Sequence, residues 1–166
     1  MRIGLVGTGL LGNAVGLRIL KSGYDLTAFN RTKTKTRQLQ ENGAKIVDTP
    51  KEVAENSDIV FTVVKNADVV RRISFGDSCI SCGRHDGLVV ADMSTINPIA
   101  SKEIAGEFAK KGIVMLDTPV MGGPNAAING ELVMMVGGNI DAFEKHRKIF
   151  DVIANKVFYL RSEEHT

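Results

Sequence analysis

The chain has 166 residues, 43% of them hydrophobic and 24% charged, with a formal net charge of +2. That is the make-up of a soluble globular domain with one substantial core, and a charge so near zero gives no argument for a nucleic-acid or membrane-surface partner. No apolar run approaches the roughly 18 residues needed to span a bilayer. Arg2 followed by uncharged residues from Ile3 to Leu17 resembles a secretory signal. Removing that stretch would delete the first apolar strand and a glycine triplet, so the expectation is a cytoplasmic protein forming one domain over residues 1–166.

In chain order, a short apolar strand, Ile3 to Val6, runs into Gly7-Thr8-Gly9-Leu10-Leu11-Gly12 and then a helical pattern from Leu10 to Leu20 that stops at Gly23. A G-x-G-x-x-G triplet is weak alone and becomes a dinucleotide fingerprint when it joins a strand to a helix. Gly7 permits the tight turn, Gly9 lets backbone approach a pyrophosphate, and Gly12 lets helix lie close on strand, while the helix N-terminus offers free N–H groups to phosphate. The alternative is a glycine-rich turn with no ligand.

Strand two spans Leu26 to Phe29. An NAD-binding unit places Asp or Glu after it to hold the ribose 2′-hydroxyl. Here the residues are Asn30, Arg31, Thr32, Lys33 and Lys35. A guanidinium, a hydroxyl and amines at a helix start suit a 2′-phosphate, which predicts NADP(H) over NAD. The competing reading is a solvated basic helix start.

The helix that follows ends near Asn42, strand three is Ala44 to Val47, and Thr49-Pro50-Lys51-Glu52 is a capping box opening a helix to Glu55. Strand four, Asp58 to Val64, is almost wholly apolar, as in a parallel strand buried on both faces. A helix from Ala67 to Ile73 leads to a turn-rich loop holding Cys79 and Cys82, with His85 beyond. Two thiols and an imidazole are one ligand short of a structural zinc site. They read as ordinary loop thiols, with a local disulfide or an intermolecular metal site as alternatives, and no metal is expected.

Strand five, Leu88 to Ala91, gives way to Asp92-Met93-Ser94-Thr95-Ile96-Asn97-Pro98 and a helix from Ile99 to Lys111. Asn97 and Pro98 fit N-cap and N1, and Ser94 and Thr95 stand where open α/β sheets bind ligands, unless they merely cap the helix. Strand six, Ile113 to Leu116, precedes a long stretch from Asp117 to Gly130, read as an irregular loop in which Gly122 and Gly123 could present backbone N–H groups to a carboxylate. Strand seven is Leu132 to Val136. A helix capped by Asn139 is expected to bury Ile140, Phe143, Phe150 and Ile153, with His146 on a helix face. A last strand, Lys156 to Leu160, is followed by a polar tail. This alternation of strands and helices specifies an α/β, doubly wound, Rossmann-type fold with a mainly parallel sheet and helices on both faces.

The motifs Gly7-x-Gly9-x-x-Gly12, Asn30-Arg31-Thr32-x-x-Lys35, Asp92-x-Ser94-Thr95-x-x-Pro98 and Asp117-x-Pro119-Val120-x-Gly122-Gly123 together resemble the β-hydroxyacid dehydrogenase family, typified by 3-hydroxyisobutyrate dehydrogenase and related to 6-phosphogluconate dehydrogenase. The resemblance implies an oxidoreductase that moves hydride between NADP and a small 3-hydroxy acid. It implies cofactor contacts from the glycine turn, from Asn30, Arg31, Thr32 and Lys35, from the Val64-Lys65-Asn66 bend and from Thr95. Substrate contacts are implied for Ser94, Met121, Gly122 and Gly123. Met121 stands where the family has Ser, and Lys65 where it often has Pro. The family's catalytic lysine is expected beyond Thr166, with an all-helical domain through which members dimerise, so no catalytic residue is assigned in this chain. Two other readings are a deazaflavin-dependent NADP reductase and a non-catalytic NADP-binding or interaction module.

Overall fold

The computed structural model describes residues 1–160. The polar tail expected after Leu160 lies outside the described residues. The strands are β1 (Arg2–Val6), β2 (Asp25–Phe29), β3 (Lys45–Ile46), β4 (Ile59–Thr62), β5 (Val89–Asp92), β6 (Val114–Asp117), β7 (Val120–Met121), β8 (Leu132–Gly137) and β9 (Ala154–Leu160). The helices are α1 (Leu10–Lys21), α2 (Arg37–Glu41), α3 (Pro50–Glu55), α4 (Ala67–Phe75), α5 (Pro98–Ala109), α6 (Pro124–Asn129), α7 (Ile140–Lys145) and α8 (Arg147–Ile153). All the strands join one sheet in the order β3-β2-β1-β4-β5-β6-β8-β7, with β9 paired to β8. Pairing is parallel from β3 to β6 and again between β8 and β9, and antiparallel where β8 meets β6 and β7.

The core lies on both faces of this sheet because successive strand side chains point to opposite sides. Ile3 and Leu5 of β1, Ile59 and Phe61 of β4, and Val89 and Ala91 of β5 pack toward Val15 and Ile19 of α1 and Phe143 and Phe150 farther along. Val6, Val60 and Val90 face the other way, toward Val53, Val70, Ile104 and Phe108. Phe150 sits edge-on to Phe61 with ring centroids 5.9 Å apart and stacks on Phe143 at 5.7 Å.

The caps read from the sequence are present. The Thr49 hydroxyl accepts from the Glu52 N–H, and the Glu52 carboxylate reaches back to the Asp48 N–H at 3.0 Å. Asn97 and Asn139 accept from Ile99 and Ala142. Three local expectations are corrected. The Asp117–Gly130 stretch is not irregular throughout, since it contains β7 and α6. Proline at the start of α6 and Gly130 in the left-handed region at its end (φ +70°) are the Pro-first, Gly-last pattern that marks a short helix. The helix after Asn139 breaks at His146, whose backbone (φ −108°, ψ 12°) leaves the helical region, so that α8 turns Ile149, Phe150 and Ile153 inward. Ile140, expected inside, is 44% exposed in the first turn of α7.

Candidate functional site

In the strand order 3-2-1-4-5-6, the chain leaves β1 toward one edge and returns beside it as β4, so a crevice opens at the carboxyl ends of β1 and β4. The glycine turn lies there. Gly7 has φ +99°, and a Cβ on it would strike the Val63 carbonyl beyond β4; a Cβ on Gly12 would strike the Gly7 carbonyl. Two backbones therefore cross in contact, and both positions require glycine. Gly9 differs. It caps α1 with no side-chain bond, is exposed, and a Cβ built on it meets nothing within 4 Å. The space above it is open, and the first-turn N–H groups at Leu10, Leu11 and Gly12 have no acceptor within their own helix.

Asn30 fixes the turn from the side. Its Oδ1 accepts from the Thr8 N–H at 2.9 Å, and its Nδ2 donates to the Thr32 carbonyl at 3.0 Å. The buried Thr8 hydroxyl donates to the Lys35 carbonyl at 2.9 Å. These bonds join the end of β2 to the glycine turn, so the basic segment is held beside the crevice. Arg31, Thr32 and Lys35 are exposed there, while the neighbouring Lys33 pairs with Asp48 at 2.7 Å, a contact that raises its pKa by hydrogen bonding.

Across the carboxyl edge, Val6, Thr62, Asp92 and Asp117 are partners on successive strands. Asp92 is fully buried. Its Oδ1 accepts from the Thr62 hydroxyl at 2.7 Å and the Ser94 N–H at 3.1 Å, while Oδ2 has no protein partner. Burial pushes its pKa up, more than these bonds lower it. Asp117 is likewise raised, by burial and then by Asp92. The Ser94 hydroxyl accepts from the Val64 N–H at 3.0 Å and lies 3.5 Å from the Thr62 carbonyl. Ser94 is 4% exposed, and its side chain ties the bend after β4 to the bend after β5. Thr62 carried no sequence signal, because its role depends on a partner strand 30 residues away.

Thr95 is exposed beside that tie, and so are Lys65 and Asn66. The Asn66 side chain caps α4 by accepting from the Val69 N–H at 3.0 Å. Met121, 57% exposed, ends β7, and exposed Gly122 and Gly123 lead into α6. Gly122 has φ +125°, and a Cβ there would press on Leu132. The glycine turn, Val64–Asn66 and Thr95 thus follow the carboxyl ends of the neighbouring strands β1, β4 and β5, with Asn30–Lys35 after β2 beside them, while Met121–Gly123 lie at the end of β7, which pairs with β8. Cys79 and Cys82 lie elsewhere, after α4. His85 is turned from them, its Nε2 2.8 Å from the Ser57 carbonyl. Among the described residues no cluster of three metal-binding side chains occurs.

A family model described as the NAD binding domain of 6-phosphogluconate dehydrogenase matches residues 2–160. The chain belongs to this family. A curated relative, an uncharacterized oxidoreductase of Bacillus subtilis named YfjR, is 33% identical over all of this chain and 58% of its own length. The probable 3-hydroxyisobutyrate dehydrogenase-like 3 of Arabidopsis thaliana, described as mitochondrial, is 38% identical over 86% of this chain and 45% of its own. A solved structure described as Psf3 in complex with NADP+ and 2-OPP superposes with TM-score 0.92 at 25% identity, covering 96% of this chain and 57% of that one. The chain spans about half the length of these relatives. It carries that family's NAD-binding domain on a Rossmann-type fold. No helix among the described residues is long and apolar enough to cross a membrane.

Proposed function

We propose that residues 1–166 form a single NADP(H)-binding domain of a dehydrogenase acting on a small 3-hydroxy acid. The observation that carries this reading is the open space over Gly9 at the N-terminus of α1, fixed by Asn30 to a basic, carboxylate-free segment. The backbone of Gly7-Thr8-Gly9-Leu10-Leu11-Gly12 would hold the pyrophosphate by its N–H groups. Arg31, Thr32 and Lys35 would hold the 2′-phosphate, with Asn30 shaping their loop. Val64, Lys65 and Asn66 would border the cofactor, and Thr95 would contact it near the nicotinamide. When bound, the cofactor supplies the hydride-accepting carbon.

Gly122 and Gly123 would present N–H groups to the substrate carboxylate, and Met121 would shape the same loop. Ser94 acts behind the site, positioning the two bends. No residue of this chain matches the lysine that exchanges the hydroxyl proton in the family this sequence resembles. NADPH binding is what this reading expects of the residues above, while general acid–base help, worth about 10²–10⁴ in rate, would come from that lysine. A cytoplasmic location is part of the same proposal; the Ile3–Leu17 stretch that resembles a signal contributes to β1 and α1 of the fold. Homodimerisation is assigned to a helical domain.

The test is calorimetric titration with NADPH and NADH, followed by NADP⁺ reduction with a panel of 3-hydroxy acids. The short chain is compared with a version extended through a helical domain. Tighter NADPH binding with turnover only in the extended protein is expected. Comparable turnover by the short chain would place the proton donor inside it and overturn the assignment.

A further inference from the structure

The cysteine turn stands apart from the crevice and is built in an unusual way. Cys79 caps a 3₁₀ turn, Ile80–Gly83, and the Cys82 N–H donates to the Cys79 carbonyl at 3.1 Å. In a 3₁₀ turn, side chains three apart lie over one another, and three steps advance the chain about 6 Å, within the Cα separations a disulfide accepts. The two sulfurs are 2.8 Å apart, inside van der Waals contact. Both are free thiols, Cys79 buried and Cys82 exposed.

The turn is clamped in place. A Cβ on Gly83 would strike the Lys51 carbonyl and press on Ala54, so the turn lies directly on α3. The Lys51 N–H donates to the Ser78 carbonyl at 3.0 Å, and Ser78 itself holds a left-handed backbone at φ 49°. The Ser81 hydroxyl sits 3.2 Å from the Cys79 sulfur. Little chain entropy therefore remains to be lost when the sulfurs join. Two features dispose Cys82 to act as a thiolate: first the hydrogen bonding from Cys79, then the positive charges of Lys51 and Lys111, all of which lower its pKa. Lys51 also pairs with Glu55 at 3.6 Å, which moderates that field.

We propose that Cys79 and Cys82 are a reversible dithiol–disulfide pair, with Cys82 the attacking thiol, Cys79 the resolving thiol, and an anionic low-molecular-weight disulfide of the glutathione class the oxidant. The Cys82 thiolate attacks one sulfur of glutathione disulfide, forming a protein–glutathione bond and releasing one glutathione thiolate. Cys79 then attacks the Cys82 sulfur, breaking that bond and releasing the second. The two protein thiols are oxidised, the small disulfide is reduced to two thiols, and those thiols take up the two protons from Cys79 and Cys82. The carboxylates of glutathione match Lys51 and Lys111, and exposure of Cys82 alone fixes the order of attack.

The test uses the reduced chain exposed to glutathione disulfide, quenched by alkylation and read by intact mass. The parent should lose the mass of two hydrogens and become resistant to alkylation at both positions, and dithiothreitol should reverse this. Cys79→Ala should accumulate a stable glutathione adduct at Cys82, and Cys82→Ser should stay unmodified. In the untreated parent, a maleimide should label Cys82 more than about tenfold faster than Cys79, a measurement that needs no variant. A persistent glutathione adduct on the parent, two thiols still free after treatment, or equal labelling rates would each overturn the proposal. Because this site shares no residue with the NADP crevice, its failure would leave that reading untouched.

Discussion

The Thr62 hydroxyl donates to the Asp92 carboxylate across neighbouring strands at 2.7 Å, and both residues are fully buried at the carboxyl edge of the sheet. This pair is the root of the tie that runs through Ser94 to the Val64 N–H. Since burial raises the Asp92 pKa, the folded protein holds that proton more tightly than the unfolded chain does. Its contribution to stability is therefore greatest at acid pH and falls as pH rises from the ordinary carboxylate range through the raised folded value. Asp92→Asn keeps an acceptor for Thr62 and Ser94 and removes the titration. Chemical denaturation across that range should show the stability of Asp92→Asn relative to the parent improving as pH rises. A difference that does not change with pH would show that folding does not raise the Asp92 pKa.

At the opposite edge, Asp58 behaves in the reverse sense. Its carboxylate accepts from the Arg2 guanidinium at 2.8 Å and from the Arg2 N–H at 2.7 Å, and the guanidinium contact is what chiefly lowers its pKa. That contribution is present above the ordinary carboxylate range and disappears as pH falls through the depressed value. The pair is exposed, so Asp58→Asn should cost no more than about 1 kcal/mol at neutral pH, with the loss vanishing in acid.

Ser94→Ala should separate folding from binding. It leaves the Val64 N–H without its hydroxyl acceptor, at a cost of about 1–3 kcal/mol for an orphaned buried donor. The expected result is a lower denaturation midpoint and weaker NADPH binding. Unchanged affinity in the folded variant would show that the bend after β4 does not touch the cofactor.

The glycines of the turn should divide by geometry. Gly9→Val has open space above it, so the variant should melt near the parent while losing NADPH binding. Gly12→Val drives a side chain into the Gly7 carbonyl and should destabilise the fold itself. Paired melting and calorimetry read both effects; a Gly9→Val protein that binds normally would remove the turn from the cofactor site.

Cofactor choice should follow the end of β2. Arg31→Ala is expected to weaken NADPH about tenfold to a hundredfold and leave NADH nearly unchanged. Asn30→Asp keeps the acceptor for the Thr8 N–H while adding a charge that repels a 2′-phosphate. Equal losses for both nucleotides, measured by titration, would defeat the NADP assignment.

Periodicity and local chemistry determined much of this protein without reference to its fold. The apolar runs of β1, β4 and β5 announce strands, β4 as one buried on both faces, and the caps at Thr49, Asn97 and Asn139 depend only on residues within a few positions of themselves. The glycine triplet belongs to the same class, since a turn needing φ +99° at Gly7 restricts the residue there whatever surrounds it. What the tertiary structure decided is everything that depends on a neighbour distant in sequence. Thr62 carries no signal in the sequence, and Ser94 reads only as a ligand or capping residue, until strand pairing brings both to Asp92. The helical pattern breaks at His146 into α7 and α8, with Phe150 of α8 set edge-on to Phe61, and no spacing along the chain encodes that contact. Cys79 and Cys82 were legible as a pair, yet only the 3₁₀ turn against α3 sets their sulfurs side by side. Local sequence dictates the backbone each residue can adopt, and long-range packing dictates which of those side chains meet.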